Sequence, residues 1–145
     1  MLVRVGALYH DIGKMNNPNY FIENQSSSFN PHDDLDALES SSIIKNHILN
    51  GIETAKDNRL PDRVIDFIRT HHGTSMIRFF YEKAIKLNPN ANELDFRYSG
   101  PKPFSKETAI VMMADSVEAA SKSLKEPSVE LIAVSYTHLT LPTKA

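Results

Sequence analysis

Six residues carry most of the chemistry this sequence offers. His10 and Asp11 adjoin in "LYHDIGK", His71 and His72 adjoin in "RTHHG", His47 lies in "KNHIL" and Asp115 in "VMMADSV". Imidazole nitrogens and carboxylate oxygens are the ligands that Fe, Mn, Zn, Mg and similar ions take from protein. The chain has no cysteine, so thiolate zinc sites, disulfide frameworks and cysteine nucleophiles are excluded. A lone His on an apolar face is more often a hydrogen-bonded core residue than a ligand. A lone Asp such as Asp115 can cap a helix or pair with an Arg. Together, though, an HD pair, a His, an HH pair and an Asp at inward helix positions point to a polynuclear metal site with N/O ligands. An Asp among Met112, Met113, Ala114 and Val117 is costly to bury unless paired or metal-bound.

The elements that must position these residues read as helices. Residues 2–12 are apolar nearly all round and predict a buried helix, with Gly13 as its C-cap. Residues 15–39 are rich in Asn, Pro and Ser and predict a long loop over the site, with room for a turn of helix. Its Tyr20 and Phe21 either stack on a base or, more commonly, pin the loop to the core. His32 is expected to be an ordinary hydrogen-bonded histidine, and Asp33, Asp34 and Asp36 a solvated acidic turn. Ile44, His47, Ile48, Gly51 and Ile52 recur at helical spacing. "LPDRVIDFIRTHHG" predicts another helix, with Pro61 in its first turn and Gly73 past its end. "SMIRFFYEKAIKLN" is a further one, and Ser105 is positioned to cap the last, "KETAIVMMADSVEAASKSL". Met112 and Met113 read as core. Nothing alternates as a sheet would, so the fold class is all-α.

Composition narrows the partners. One domain's worth of chain, 145 residues with a net charge of −2, has no broad basic field for DNA or RNA, and leaves room for a small anion at a local site. No apolar run approaches the ~20 residues of a membrane span. No signal peptide is visible, and the expectation is a soluble intracellular chain. Residues 133–145 break the helical pattern and resemble a non-native read-through tail, so His138 is set aside with them.

The order His10-Asp11, His47, His71-His72, Asp115 resembles the H…HD…H…HH…D signature of the HD phosphohydrolase superfamily, with "HDIGK" as its HDIG variant. Phrases such as "NPHDDL", "DFIRTHHGTSMIRFFY" and "FRYSGPKPFSKETAIVMMADSVEAASKSL" are similar to the cytoplasmic HD domain of the PgpH-type seven-transmembrane HD proteins, bacterial cyclic di-AMP phosphodiesterases. The resemblance covers residues 1 to about 132. It implies a helical HD bundle lacking its first helices, in a fragment of a membrane-embedded parent. It also implies two divalent metal ions, Fe or Mn, and a cyclic dinucleotide substrate cut to pApA. On the same grounds His10, Asp11 and Asp115 would hold one ion and His47, His71 and His72 the other, with Asp11 bridging. Lys14 would lie near the phosphate. The family's further His, on a helix before the HD motif, is absent here, so one ion is expected to be a ligand short. Two other readings stay open: an HD hydrolase of different nucleotide specificity, and a catalytically inactive HD-like signalling or binding module.

Overall fold

Asp36 and Glu39 form a capping box that starts the longest helix, α2 (Ala37–Asp57). The Glu39 amide donates to Asp36 Oδ1 at 2.8 Å and the Asp36 amide to Glu39 Oε2 at 3.2 Å, satisfying donors that a helix start otherwise leaves orphaned. The structure, a computed structural model, describes residues 1–25, 28–124, 128–131 and 133–134. Most of the suspected tail, His138 included, lies outside them. The other helices are α1 (Leu2–Tyr9), α3 (Asp62–Thr70), α4 (Arg78–Leu87) and α5 (Lys106–Lys122). Among the described residues the only β pairing is an isolated bridge between Met76 and Arg97, so the chain is all-α. Pro61 sits one position before α3 as its N-cap, and Ser105 caps α5 through Thr108.

Two apolar clusters hold the helices. Ala55 of α2 meets Ile65 and Ile68 of α3, with Ile12, Ile52 and Leu60 against them. Ala37, Phe80 of α4 and Phe96 form the second, backed by Ile44, Met76 and Ile77. Helix α3 is the centre of the bundle, contacting α1, α2 and α5.

Three expectations need correction at the first helix. It ends at Tyr9, not residue 12: Asp11 leaves the helical region (φ −107°, ψ 14°) and Ile12–Asn16 is a 3₁₀ turn. Nor is it buried all round. Gly6 is its one buried residue, while Leu8 is 73% exposed, because α1 packs by one side on α3 and α5. Gly13 does not cap α1; it is buried within the 3₁₀ turn, against α2. The predicted loop is shorter than read and holds several 3₁₀ turns before α2 begins at Ala37. Met112 and Met113 are half-buried rather than fully core.

Candidate metal centre

His10 follows the last residue of α1, and His71 the last of α3, so the HD and HH pairs leave two helix C-termini. There the negative end of the helix dipole favours a cation. His47 comes from the middle of α2 and Asp115 from α5. All six candidate residues converge. Asp11, His47, His71 and His72 form one group whose ligand atoms lie within 4.8 Å of one another, and His10, Asp11 and Asp115 form a second. Asp11 belongs to both.

The backbone fixes which nitrogen each ring offers. Nδ1 of His10 lies 2.7 Å from the Ala7 carbonyl, that of His47 2.5 Å from Ile44 O, and that of His71 2.8 Å from Ile68 O. A carbonyl oxygen only accepts, so each Nδ1 carries the proton and donates it. The neutral His71 ring then aims its lone pair inward from Nε2, and His10 and His47 turn Nε2 toward the same place. His47 Nε2 and His71 Nε2 are 3.3 Å apart, and lie 3.4 and 3.2 Å from Asp11 Oδ1. His10 Nε2 is 3.4 Å from Asp11 Oδ2 and 3.5 Å from Asp115 Oδ1. Despite these approaches, buried His10 Nε2 and Asp11 Oδ1 have no partner with hydrogen-bond geometry. Ring nitrogens and a carboxylate oxygen crowded together without hydrogen bonds are what a bound cation resolves. The donor set therefore fits divalent metal.

The charges follow. Burial disfavours a charged Asp11, but His10, His47, His71 and Lys14 outweigh it and hold the carboxyl far below the usual range. Asp115 is also lowered: burial opposes its charge, and His10 and His72 favour it. Burial keeps His71 neutral, with Asp11 offsetting only part of the effect. His72 falls to about 2, through burial first and then the neighbouring His71 and His47. His10 goes the other way: burial would lower it, but Asp11 and Asp115 raise it to about 10. At pH 7 the metal-free site therefore carries a proton on His10. A cation taking His10 Nε2 must expel it. Loading the site at pH 7 will release about one proton from His10, and affinity at that position will rise about tenfold per pH unit up to about 10. Calorimetric titration in buffers of different ionisation enthalpy measures this; heats identical in every buffer would refute it.

Lys14 Nζ lies 2.8 Å from Asp11 Oδ2 and also pairs with Glu23. It stands 5.2 Å from the centre of the Phe21 ring. Burial works against its charge, yet Asp11 and Glu23 raise its pKa. Asp11, Lys14 and Glu23 border a cleft of about 350 Å³. Phe21 is buried with its ring edge-on to His47, 5.5 Å away, so it pins the loop rather than offering a face to a base. His32 is buried outside both groups, with its Nε2 2.8 Å from Tyr20 O. Asp33, Asp34 and Asp36 are exposed. A second cavity, about 840 Å³, opens beside His72 and is lined by Lys45, Lys56, Arg69 and Arg97 among others. Sequence reading missed Glu23 and Tyr98, whose ring stacks on His72. Neither stands near its partner in the chain, and no local spacing signals them.

Residues 1–120 match the sequence profile of the HD domain. The chain belongs to the HD domain family. This HD domain is 50% identical over 132 residues to the cyclic-di-AMP phosphodiesterase PgpH of Listeria monocytogenes serotype 1/2a (strain 10403S), covering 91% of this chain and 18% of that protein. It is 48% identical over 132 residues to PgpH of Bacillus subtilis (strain 168), covering 91% of this chain and 19% of that one. The chain thus spans under a fifth of the length of these curated relatives. The crystal structure of the L. monocytogenes PgpH HD domain in complex with cyclic-di-AMP superposes with a TM-score of 0.92 at 47% identity, over 97% of this chain and 66% of that one. Another structure of that HD domain gives 0.88 at 45% identity, over 97% and 66%. No helix among the described residues is long and apolar enough to cross a membrane.

Proposed function

We propose that residues 1–132 are the catalytic domain of a metal-dependent phosphodiesterase that opens cyclic di-AMP to the linear dinucleotide pApA. The observation carrying the chemistry is the convergence of two ligand groups on one shared carboxylate, with buried acceptors left unpaired. His10, Asp11 and Asp115 would hold one divalent ion; His47, His71 and His72, with Asp11, would hold the other. Fe and Mn suit these N/O donors. Two such ions supply an acidified water and neutralise phosphate charge. Asp11 can serve both groups because a carboxylate has two acceptor oxygens and an imidazole offers one lone pair.

The remaining residues bind and orient. Lys14, held beside Asp11, is placed to meet an incoming phosphate as a point charge. The cavity beside His72 presents Lys45, Lys56, Arg69 and Arg97 with no carboxylate in its lining. That wall suits the second phosphate of a cyclic dinucleotide. Substrate identity is supported by the near-half identity to PgpH proteins and by the likeness to an HD domain solved with cyclic-di-AMP. The length of those relatives supports a longer parent, which we propose is embedded in a bacterial cell membrane with this domain on the cytoplasmic side. The test is to incubate the Mn-loaded chain with cyclic di-AMP and with a panel of nucleoside mono- and triphosphates, and separate the products. pApA as the main product supports the reading. Preferential hydrolysis of a mononucleotide assigns the other HD specificity, and no turnover of any of them overturns it.

A further inference from the structure

One imidazole of the centre is held differently from the others. His10, His47 and His71 are each oriented by a hydrogen bond from Nδ1 to the carbonyl three residues earlier. Neither ring nitrogen of His72 has a hydrogen bond among the described residues. A half-buried imidazole without such a bond keeps its χ2 rotation, and a misdirected lone pair does not ligate. The restraint on His72 comes instead from a ring. Tyr98 lies face to face with it, centroids 4.3 Å apart and planes inclined by 12°. His71 and His47 close two other sides, with centroids at 4.1 and 5.2 Å, the His47 ring edge-on at 85°.

Tyr98 is itself fixed from several directions. Its amide donates to Ser75 O at 3.0 Å. The preceding Arg97 bridges to Met76 and donates from Nη1 to Thr74 O at 3.0 Å and from Nε to Glu93 at 2.7 Å. The segment carrying Tyr98 is thereby tied to the segment that directly follows His71-His72 and Gly73. A planar ring locked to that backbone gives His72 a template for its plane.

We infer that Tyr98 is a positioning residue of the metal centre: its ring, standing in for the hydrogen bond His72 lacks, aims the imidazole at the group shared with Asp11, His47 and His71. This rests on the reading that those residues hold metal. The role belongs to the ring face and not to the hydroxyl, so Phe should serve and an aliphatic residue should not. Groups that orient a ligand without touching the ion are worth roughly 10–100-fold in metal affinity.

The experiment is a titration of the metal-free chain with Co²⁺, following the visible d–d absorption, for wild type, Tyr98→Phe and Tyr98→Leu. Tyr98→Phe is expected to match wild type in stoichiometry, affinity and band positions. Tyr98→Leu is expected to bind one of its two ions roughly 10–100-fold more weakly, with an altered d–d spectrum at that position. Circular dichroism checks each variant's fold, and Tyr98→Met, which fills the space flexibly, replaces Tyr98→Leu if that variant is unfolded. Aliphatic variants that bind both ions as tightly as wild type overturn the inference while leaving the metal centre intact. So does a Tyr98→Phe that fails alongside them, since the hydroxyl would then be the active part. A wild-type chain that binds no Co²⁺ overturns the underlying metal reading instead.

Discussion

Asp11→Asn will empty the metal centre while leaving the fold in place. The amide keeps the shape of the carboxylate and loses its charge. Asp11 is the one residue common to both ligand groups, so both lose an anionic donor at once. The amide nitrogen also reverses the local hydrogen bonding. Where Asp11 Oδ1 now faces lone pairs of His47 and His71 at 3.4 and 3.2 Å, an NH₂ group can donate to them. Nε2 atoms so occupied are no longer free for a cation. The expected result is loss of both bound ions by elemental mass spectrometry and a fall in cyclic di-AMP hydrolysis on the order of a thousandfold, the scale of removing a main electrostatic contribution to a transition state. The metal-free chain should melt lower than wild type, because the amide no longer carries the charge that pairs with Lys14 and that His10, His47 and His71 favour. Full hydrolysis by the variant would sink the proposed function. Full metal content with no hydrolysis would confine Asp11 to a catalytic role.

The ligand candidates are legible in the sequence because their chemistry resides in residue type. With no cysteine, only His, Asp and Glu remain as metal donors, and helical spacing places His47 and His71 inward on apolar stripes. The structure puts both among the most deeply buried side chains. What the sequence hides is how each ligand is oriented. The three Nδ1-to-carbonyl bonds are local and recur at i−3, so a His in or just after a helix carries a signal that can be read. The stacking of Tyr98 on His72 spans 26 positions and leaves no mark on spacing. The cap at Asp36 is half-hidden: D-x-x-E before an apolar stripe is a capping-box pattern, but Asp33 and Asp34 beside it suggest a solvated turn. The apolar "LVRVGALY" misleads for another reason. A helix packed by one side still exposes its other apolar residues, and periodicity cannot say which neighbours a helix lacks.

Gly13 shows how one residue type conceals two jobs, and its replacement should have the second large effect. Glycine after a helix suggests a positive-φ cap, but Gly13 is used for close approach. A Cβ built there would lie 1.8 Å from the His47 carbonyl oxygen and 2.6 Å from the Gly51 amide nitrogen. These are backbone atoms inside α2 and cannot rotate away as a side-chain tip would. Gly51 reciprocates, since a Cβ on it would meet Ile68 at 2.8 Å and the Gly13 nitrogen at 3.2 Å. The two glycines let the turn carrying Asp11 lie directly on the helix carrying His47, which sets how near the carboxylate and that imidazole stand. Gly13→Ala must push these elements apart. We expect a loss of about 3 kcal/mol from overpacking, seen as a fall in Tm of roughly 10 °C for a domain of this size. Metal affinity should fall with it, because the displacement opens the gap between Asp11 and His47. Gly73→Ala is the comparison. It lies next to His72 with φ +53°, and its Cβ would approach nothing closer than 3.4 Å, so its cost is the left-handed backbone alone, about 1 kcal/mol. A Gly13→Ala chain melting no lower than Gly73→Ala would mean that α2 and the Asp11 turn can separate freely, and that this crossing does not set the site.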